Sequence, residues 1–153
     1  MKVINSFSGN YKFLSNFFRD TPIVNWDEKL WKSTEHYYQA HKTKDLYFRE
    51  YIRNCDTPAD AKRLAGSIEI RKNWDSVKIG IMQEALRMKF DQWPKYKKFL
   101  LQTEKYRLIE GNTWHDNFWG SCYCDKCETI NGENMLGKLL MNLRDYYLML
   151  EGG

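Results

Sequence analysis

The sequence predicts an α+β fold, predominantly helical with a small β element, built as a single domain over residues 1–153. Three observations predict it. The length suits one domain, for which roughly 100–200 residues is usual, and no repeat, low-complexity tract or Pro/Gly/Ser linker divides it. Helical periodicity fills most of the chain after Ser33. Before that point, residues 2–31 mix aromatic and β-branched residues with turn formers.

Taken in order, Ile23 to Trp31 reads as two short strands around a polar turn at Asp27 and Glu28. A first helix begins at Ser33 or Thr34, both good N-caps, and runs through EHYYQAHK to about Lys44. A second spans Asp45 to Asn54. Thr57-Pro58-Ala59-Asp60 then joins an N-cap, a proline at the first helical position and an acid at the third, with Gly66 as the stop. Further helices are expected from Asp75 to Gln92 and from Pro94 to Gln102, then a strand near Tyr106 to Glu110. The final helix, Glu133 to Leu150, places Met135, Leu136, Leu139, Leu140, Leu143, Tyr146, Tyr147 and Leu150 on one packing arc.

Composition narrows the function classes. A chain with 42% hydrophobic residues and mixed charge is globular, which excludes disordered, collagen-like and coiled-coil readings. No apolar run approaches the ~20 residues of a membrane span, and MKVINSFSGN lacks the apolar stretch of a secretory signal, so the expected address is the cytoplasm, with no membrane partner. The formal charge of +4 is modest, but Arg87 to Arg107 carries a local +5, a patch for phosphates or a solvated helix face.

Several residues break the element patterns. Lys78 and Lys89 fall within the apolar arc of the Asp75–Gln92 helix, where an amine is costly to bury. Either their stems run along the core edge or at least one lines an anionic or carbonyl-bearing site. Glu35, Gln39 and Lys42, spaced by four and three, share one stripe: a solvated face, or a polar strip entering a pocket with Glu35 placed to activate water or stabilise positive charge. IEGNTWHDNFWG, Ile109 to Gly120, puts Glu110, Trp114, Asp116 and Trp119 in one irregular loop, suited to a flat ring or simply pinned by its indoles. Gly132-Glu133-Asn134-Met135-Leu136-Gly137 opens the last helix, where free backbone N–H groups are a place for phosphate. Cys122, Cys124 and Cys127 lie within six residues, poor disulfide geometry but plausible metal spacing. A structural Zn²⁺ is expected there, with His115 as the nearest fourth ligand and Cys55 or another histidine the alternative.

Together FLSNFF (Phe13 to Phe18), WKSTEHYYQAHK (Trp31 to Lys42), the Thr57–Gly66 helix, RKNWD (Arg71 to Asp75), VKIGIMQEALRMKF (Val77 to Phe90), Trp119-Gly120 and GENMLGKLLMNLR (Gly132 to Arg144) resemble the blocks of the NADAR family, the YbiA-like proteins, in order and over nearly the whole chain. The resemblance implies a YbiA-like α+β fold and hydrolysis of an N-glycosidic bond between ribose and a base. The family's substrates are phosphorylated aminopyrimidine intermediates of riboflavin synthesis and ADP-ribose on guanine. Carried over position by position, it implies Glu35, Lys78 and Asp116 as catalytic groups, with Lys78 and Lys89 both matching the family's lysines and the choice between them open. Substrate contacts then fall to Gln39, Lys42, Arg71, Trp74, Lys89, Trp119, Gly132 and Asn134. A lysine attacking ring-opened ribose as a Schiff base is the alternative chemistry. The cysteine insertion departs from many relatives and inherits no role.

Two competitors remain at this level: a non-catalytic ADP-ribose or nucleotide-binding module, and a zinc-stabilised nucleic-acid-binding protein resting on the cysteines and the basic run. The substrate, between a small ribosyl phosphate and an ADP-ribosylated nucleic acid, and the oligomeric state are left open.

Overall fold

The structure is a computed structural model and describes residues 2–152. The expected class holds: six α-helices and six two-residue strands in an α+β arrangement, among the described residues. They group into two compact units, named by sequence order only: the inner, Asn16–Pro94, and the outer, made of the chain on either side of it.

After strand β1 (Val3–Ile4), which belongs to the other unit, the Asn16–Pro94 unit opens with the predicted hairpin. Strand β2 (Ile23–Val24) pairs antiparallel with β3 (Leu30–Trp31), and Glu28 takes a left-handed φ of 64° in the turn. Helix α1 (Thr34–Ala40) starts where predicted, because the Ser33 side chain accepts from the His36 N–H. It ends at Ala40 instead of near Lys44. The carbonyls of His41, Lys42 and Thr43 accept from Arg71 Nη1, the Arg71 N–H and Arg49 Nε, so tertiary donors replace further helical bonds.

Helix α2 (Leu46–Arg53) is capped by Asp45. Helix α3 (Pro58–Ala65) is capped by Thr57, with proline at its start and Gly66 after its end. Helix α4 runs Trp74–Gln92. Ile23, Trp31, Tyr37, Ala40, Ile52, Ala61, Ala65 and Ala85 form the core here. Its four alanines keep side chains short where α1 packs on α3 and α4.

In the outer unit, β1 (Val3–Ile4) pairs parallel with β4 (Arg107–Leu108), and β5 (Gly111–Asn112) pairs parallel with β6 (Ser121–Cys122). Helix α5 (Pro94–Gln102) places Tyr96 and Phe99 against Phe13. Helix α6 (Met135–Gly152) lies on β4, and Gly137 permits it: a Cβ there would collide with the Leu108 carbonyl and the Asn134 side chain. The packing arc predicted for this helix needs correcting. Tyr146 and Leu150 are exposed, and Arg144 occupies the buried stripe with Leu136, Leu139, Leu140 and Tyr147. Arg144 Nη1 donates to Thr103 Oγ1 and the Tyr106 carbonyl, which makes a buried guanidinium tolerable.

The basic run from Arg87 to Arg107 is not a continuous charged surface. Lys89 is fully buried, Arg87 pairs with Asp91 at 2.7 Å, and Lys97 sits over the Tyr147 ring. No helix among the described residues is long and apolar enough to cross a membrane.

Candidate functional site

The polar stripe of α1 is buried, not solvated. Glu35 is 6% exposed and Gln39 2%. Gln39 Nε2 donates to Glu35 Oε1 at 2.7 Å, one turn away, while Gln39 Oε1 is buried with no protein partner. The start of the stripe is fixed by a residue that sequence reasoning missed. Asn16, in the FLSNFF block, accepts from the Glu35 N–H through its carbonyl and from Thr34 Oγ1 through Oδ1, and donates Nδ2 to Met82 Sδ. Its place inside a recurring block was the only available signal.

Lys42 closes the stripe. Burial pushes its ammonium below the usual lysine range; Glu35 pulls the other way, and Lys62 and Lys78 add to the lowering. Its Nζ lies 5.5 Å from the Tyr38 ring centre, and Tyr38 packs on buried Trp74, with 5.2 Å between ring centres. A carboxylate, an amide, amines and two aromatic rings therefore share one region of the inner unit.

Lys78 and Lys89 differ from each other. Lys78 is partly exposed and pairs with the exposed Asp75 at 3.2 Å. Lys89 is wholly buried, its ammonium 5.6 Å from the Phe18 ring centre and 5.3 Å from that of Phe90. Arg71 donates Nε to Asn73 and lines a cleft of about 580 Å³ with Thr43, Phe48 and Ile70. Glu35, Gln39 and Lys42 are not among that cleft's lining residues.

In the outer unit, Asp116 Oδ1 accepts from the Phe118 and Trp119 N–H groups, closing a turn that presents Trp119. Asn112, also missed, is the post around which the loop folds. Its Oδ1 accepts from the Trp114 and Asp116 N–H groups, and its Nδ2 donates to the Asp116 carbonyl.

The phosphate cradle expected at Gly132 and Asn134 is not formed. The N–H groups of Glu133, Asn134, Met135 and Leu136 donate to the carbonyls of Asn117, Gly120, Phe118 and Trp119, so the donors that would greet an anion are spent on the loop. The Asn134 side chain joins the Glu110 N–H to the Leu108 carbonyl. A Cβ at Gly132 would meet Ser121.

His115, Cys122, Cys124 and Cys127 come together, their ligand atoms all within 4.8 Å of one another. Burial raises the Cys122 thiol, but bonds from Cys124, from His115 and from the Cys127 thiol bring it down to about 6. Cys55, the alternative fourth ligand, takes no part: its thiol donates to the Tyr51 carbonyl.

The NADAR domain family matches residues 5–147. N-glycosidase YbiA of Escherichia coli (strain K12) is 42% identical over 142 residues, covering 92% of this chain and 84% of that one. The chloroplastic riboflavin biosynthesis protein PYRR of Zea mays is 33% identical over 141 residues, covering 83% of this chain and 21% of that protein. The NMR structure of Escherichia coli YbiA matches with a TM-score of 0.84 and 38% identity, over 98% of this chain and 87% of that one. With a family match over most of its length and a relative this similar along both chains, the chain belongs to the NADAR domain family.

Proposed function

We propose that the chain is a single catalytic NADAR domain that hydrolyses the N-glycosidic bond between ribose and a base in a phosphorylated ribosyl substrate. That substrate is a riboflavin-pathway aminopyrimidine ribosyl phosphate or ADP-ribose on guanine, met in the cytoplasm. The relatives' names support N-glycosidase chemistry. The observation that carries the reading in this chain is the Glu35–Gln39–Lys42 stripe, a buried carboxylate held at 2.7 Å by a buried amide beside a half-buried, partly desolvated amine.

The chemistry asks for such a stripe. As the C1–N bond breaks, the electron pair leaves with the base and C1 gains oxocarbenium character, which a buried carboxylate stabilises strongly. Water then bonds to C1, its proton passing to Glu35 and on to the departing nitrogen, so the products are the free base and the ribose hydroxyl. Gln39 Oε1, buried without a protein partner, is placed to accept from a sugar hydroxyl or a base N–H. Lys42 and Lys78 supply positive charge for the phosphate, Arg71 adds to it, and Trp74 backs the ring of Tyr38. Lys89 is the amine that a Schiff-base route would use, and Asp116 holds the Trp119 turn. The hydrolysis so written routes no step through a metal; a Zn²⁺ held by His115, Cys122, Cys124 and Cys127 would be structural.

The test is a parallel assay of an aminopyrimidine ribosyl phosphate and an ADP-ribosylated guanine oligonucleotide, with released base followed by chromatography. Base released from one of them, and lost in Glu35→Gln, is the expected result. Tight binding of either with no turnover overturns the enzyme reading in favour of a binding module.

A further inference from the structure

Four side chains that the glycosidase reading does not use converge on one point. His115 Nδ1 lies 3.3 Å from Cys127 Sγ, 3.4 Å from Cys124 Sγ and 3.9 Å from Cys122 Sγ, and the Cys122 and Cys124 sulfurs are 3.3 Å apart. Zn–S bonds of about 2.3 Å and Zn–N bonds of about 2.0–2.1 Å at tetrahedral angles set neighbouring donors roughly 3.5–3.8 Å apart. These four separations are within a few tenths of an ångström of a zinc shell, and no two of the four donor atoms are more than 4.8 Å apart. We infer that His115 Nδ1 and the thiolates of Cys122, Cys124 and Cys127 hold one structural Zn²⁺ ion, which pins the loop carrying Asp116 and Trp119 to the strand and turn that follow it.

The donor set selects the ion. Three thiolates and an imidazole suit a soft or borderline cation, not Mg²⁺ or Ca²⁺. A disulfide is a poor account, because an S–S bond is about 2.05 Å and pairing two sulfurs would leave the third thiol and the imidazole packed together without purpose. An iron–sulfur cluster spreads its cysteines around several metal atoms, whereas these sulfurs stand at the spacing of a single ion. Four protein ligands also complete a tetrahedral shell, so no position is open for water or substrate.

The surroundings are shaped to the same end. His115 has a left-handed φ of 70°, and the N–H groups on either side of it, those of Trp114 and Asp116, are held by Asn112 Oδ1. Cys127 donates its N–H to the Cys124 carbonyl, closing the 3₁₀ turn that brings two ligands together. Asn117 accepts from the Cys122 N–H at 2.9 Å and donates Nδ2 to Cys127 Sγ at 3.4 Å, an outer-shell N–H placed on a thiolate. The loop between His115 and Cys122 also carries the four carbonyls that receive the N–H groups of Glu133 and Asn134 and the first two of α6. An ion at this point would order the Trp119 turn and the start of α6 as one piece.

Elemental analysis of the full chain purified without chelator, or reloaded with Zn²⁺ alone, should find about one zinc per chain. Loading with Co²⁺ alone should give intense thiolate-to-cobalt and tetrahedral absorption. Cys124→Ser and Cys127→Ser should each lower retained zinc at least tenfold. His115→Cys, which keeps four tetrahedral donors, should retain it. Zinc below a tenth of an equivalent after reloading, a six-coordinate cobalt spectrum, or zinc content unchanged in both serine variants overturns the inference. Should a serine variant prove insoluble, the cobalt spectra of the parent and of His115→Cys decide. Base release enters none of these measurements, so this site and the glycosidase stand or fall separately.

Discussion

Gln39 holds Glu35 by one oxygen only: its Nε2 reaches Oε1 at 2.7 Å, and its own Oε1 is turned into a buried space where no protein donor meets it. An amide left half-satisfied in a buried stripe costs free energy unless something else completes it, and a ribosyl substrate carries the hydroxyl and N–H donors that can.

Glu35→Gln preserves shape and removes the charge. Turnover should fall by ~10² or more, the span of general acid–base catalysis, while the melting temperature stays near that of the parent. Steady-state release of free base measures it, and activity within about threefold of the parent would falsify the carboxylate assignment.

Lys89→Met and Lys78→Met keep the aliphatic stems and delete the amines. Lys89→Met, at a fully buried position, should lower turnover at least about tenfold with thermal stability close to the parent's. Unchanged turnover in both variants removes the lysines from the reaction. Borohydride added during turnover should trap a substrate adduct only if an amine attacks the sugar; a parent protein of unaltered mass leaves the water route alone.

Burial holds His41 down to about 4, against which the bond from its ring to the Tyr37 carbonyl works only in part. The folded chain thus refuses a proton that the unfolded chain accepts near pH 6.5, and stability is lost as pH falls through that window. His36, also lowered by burial, acts in the same direction. Urea unfolding should show about 1.5 kcal/mol less stability at pH 5 than at pH 6.5 from His41 alone. His41→Gln should flatten that slope; an unaltered slope would locate the acid sensitivity elsewhere.

Asn134 is predicted to matter for stability and not for phosphate. Removing its two buried bonds in Asn134→Ala should cost about 2–4 kcal/mol, seen as a lower midpoint in denaturant. The KM for a phosphorylated substrate should stay within about twofold of the parent's. A large rise in KM with unchanged stability would restore the helix start as an anion site.

What the sequence made legible was local. Thr57-Pro58 and Ser33 announced their helices because a cap and a fixed φ act within a few residues. The α1 stripe was visible from spacing alone, but its burial was not, since that depends on Asn16 and Trp74 arriving from elsewhere. The helix start at Gly132 misled for the same reason: the carbonyls of Asn117 to Gly120 fold back to consume its N–H groups, and nothing at positions 132–137 records that. His115 was a candidate ligand by proximity, while the left-handed backbone that supports its reach toward the sulfurs depends on Asn112.

The parallel pairing of Val3–Ile4 with Arg107–Leu108 orders events on the ribosome. The strand Val3–Ile4 has no partner until more than a hundred further residues have been synthesised, and closing a loop of that length is slow. The segment Asn16–Pro94 is complete shortly before Arg107 is added. The residues around Glu35 are thus contiguous in the chain, whereas the unit with the cysteine loop cannot form until residues far apart in sequence have all been made.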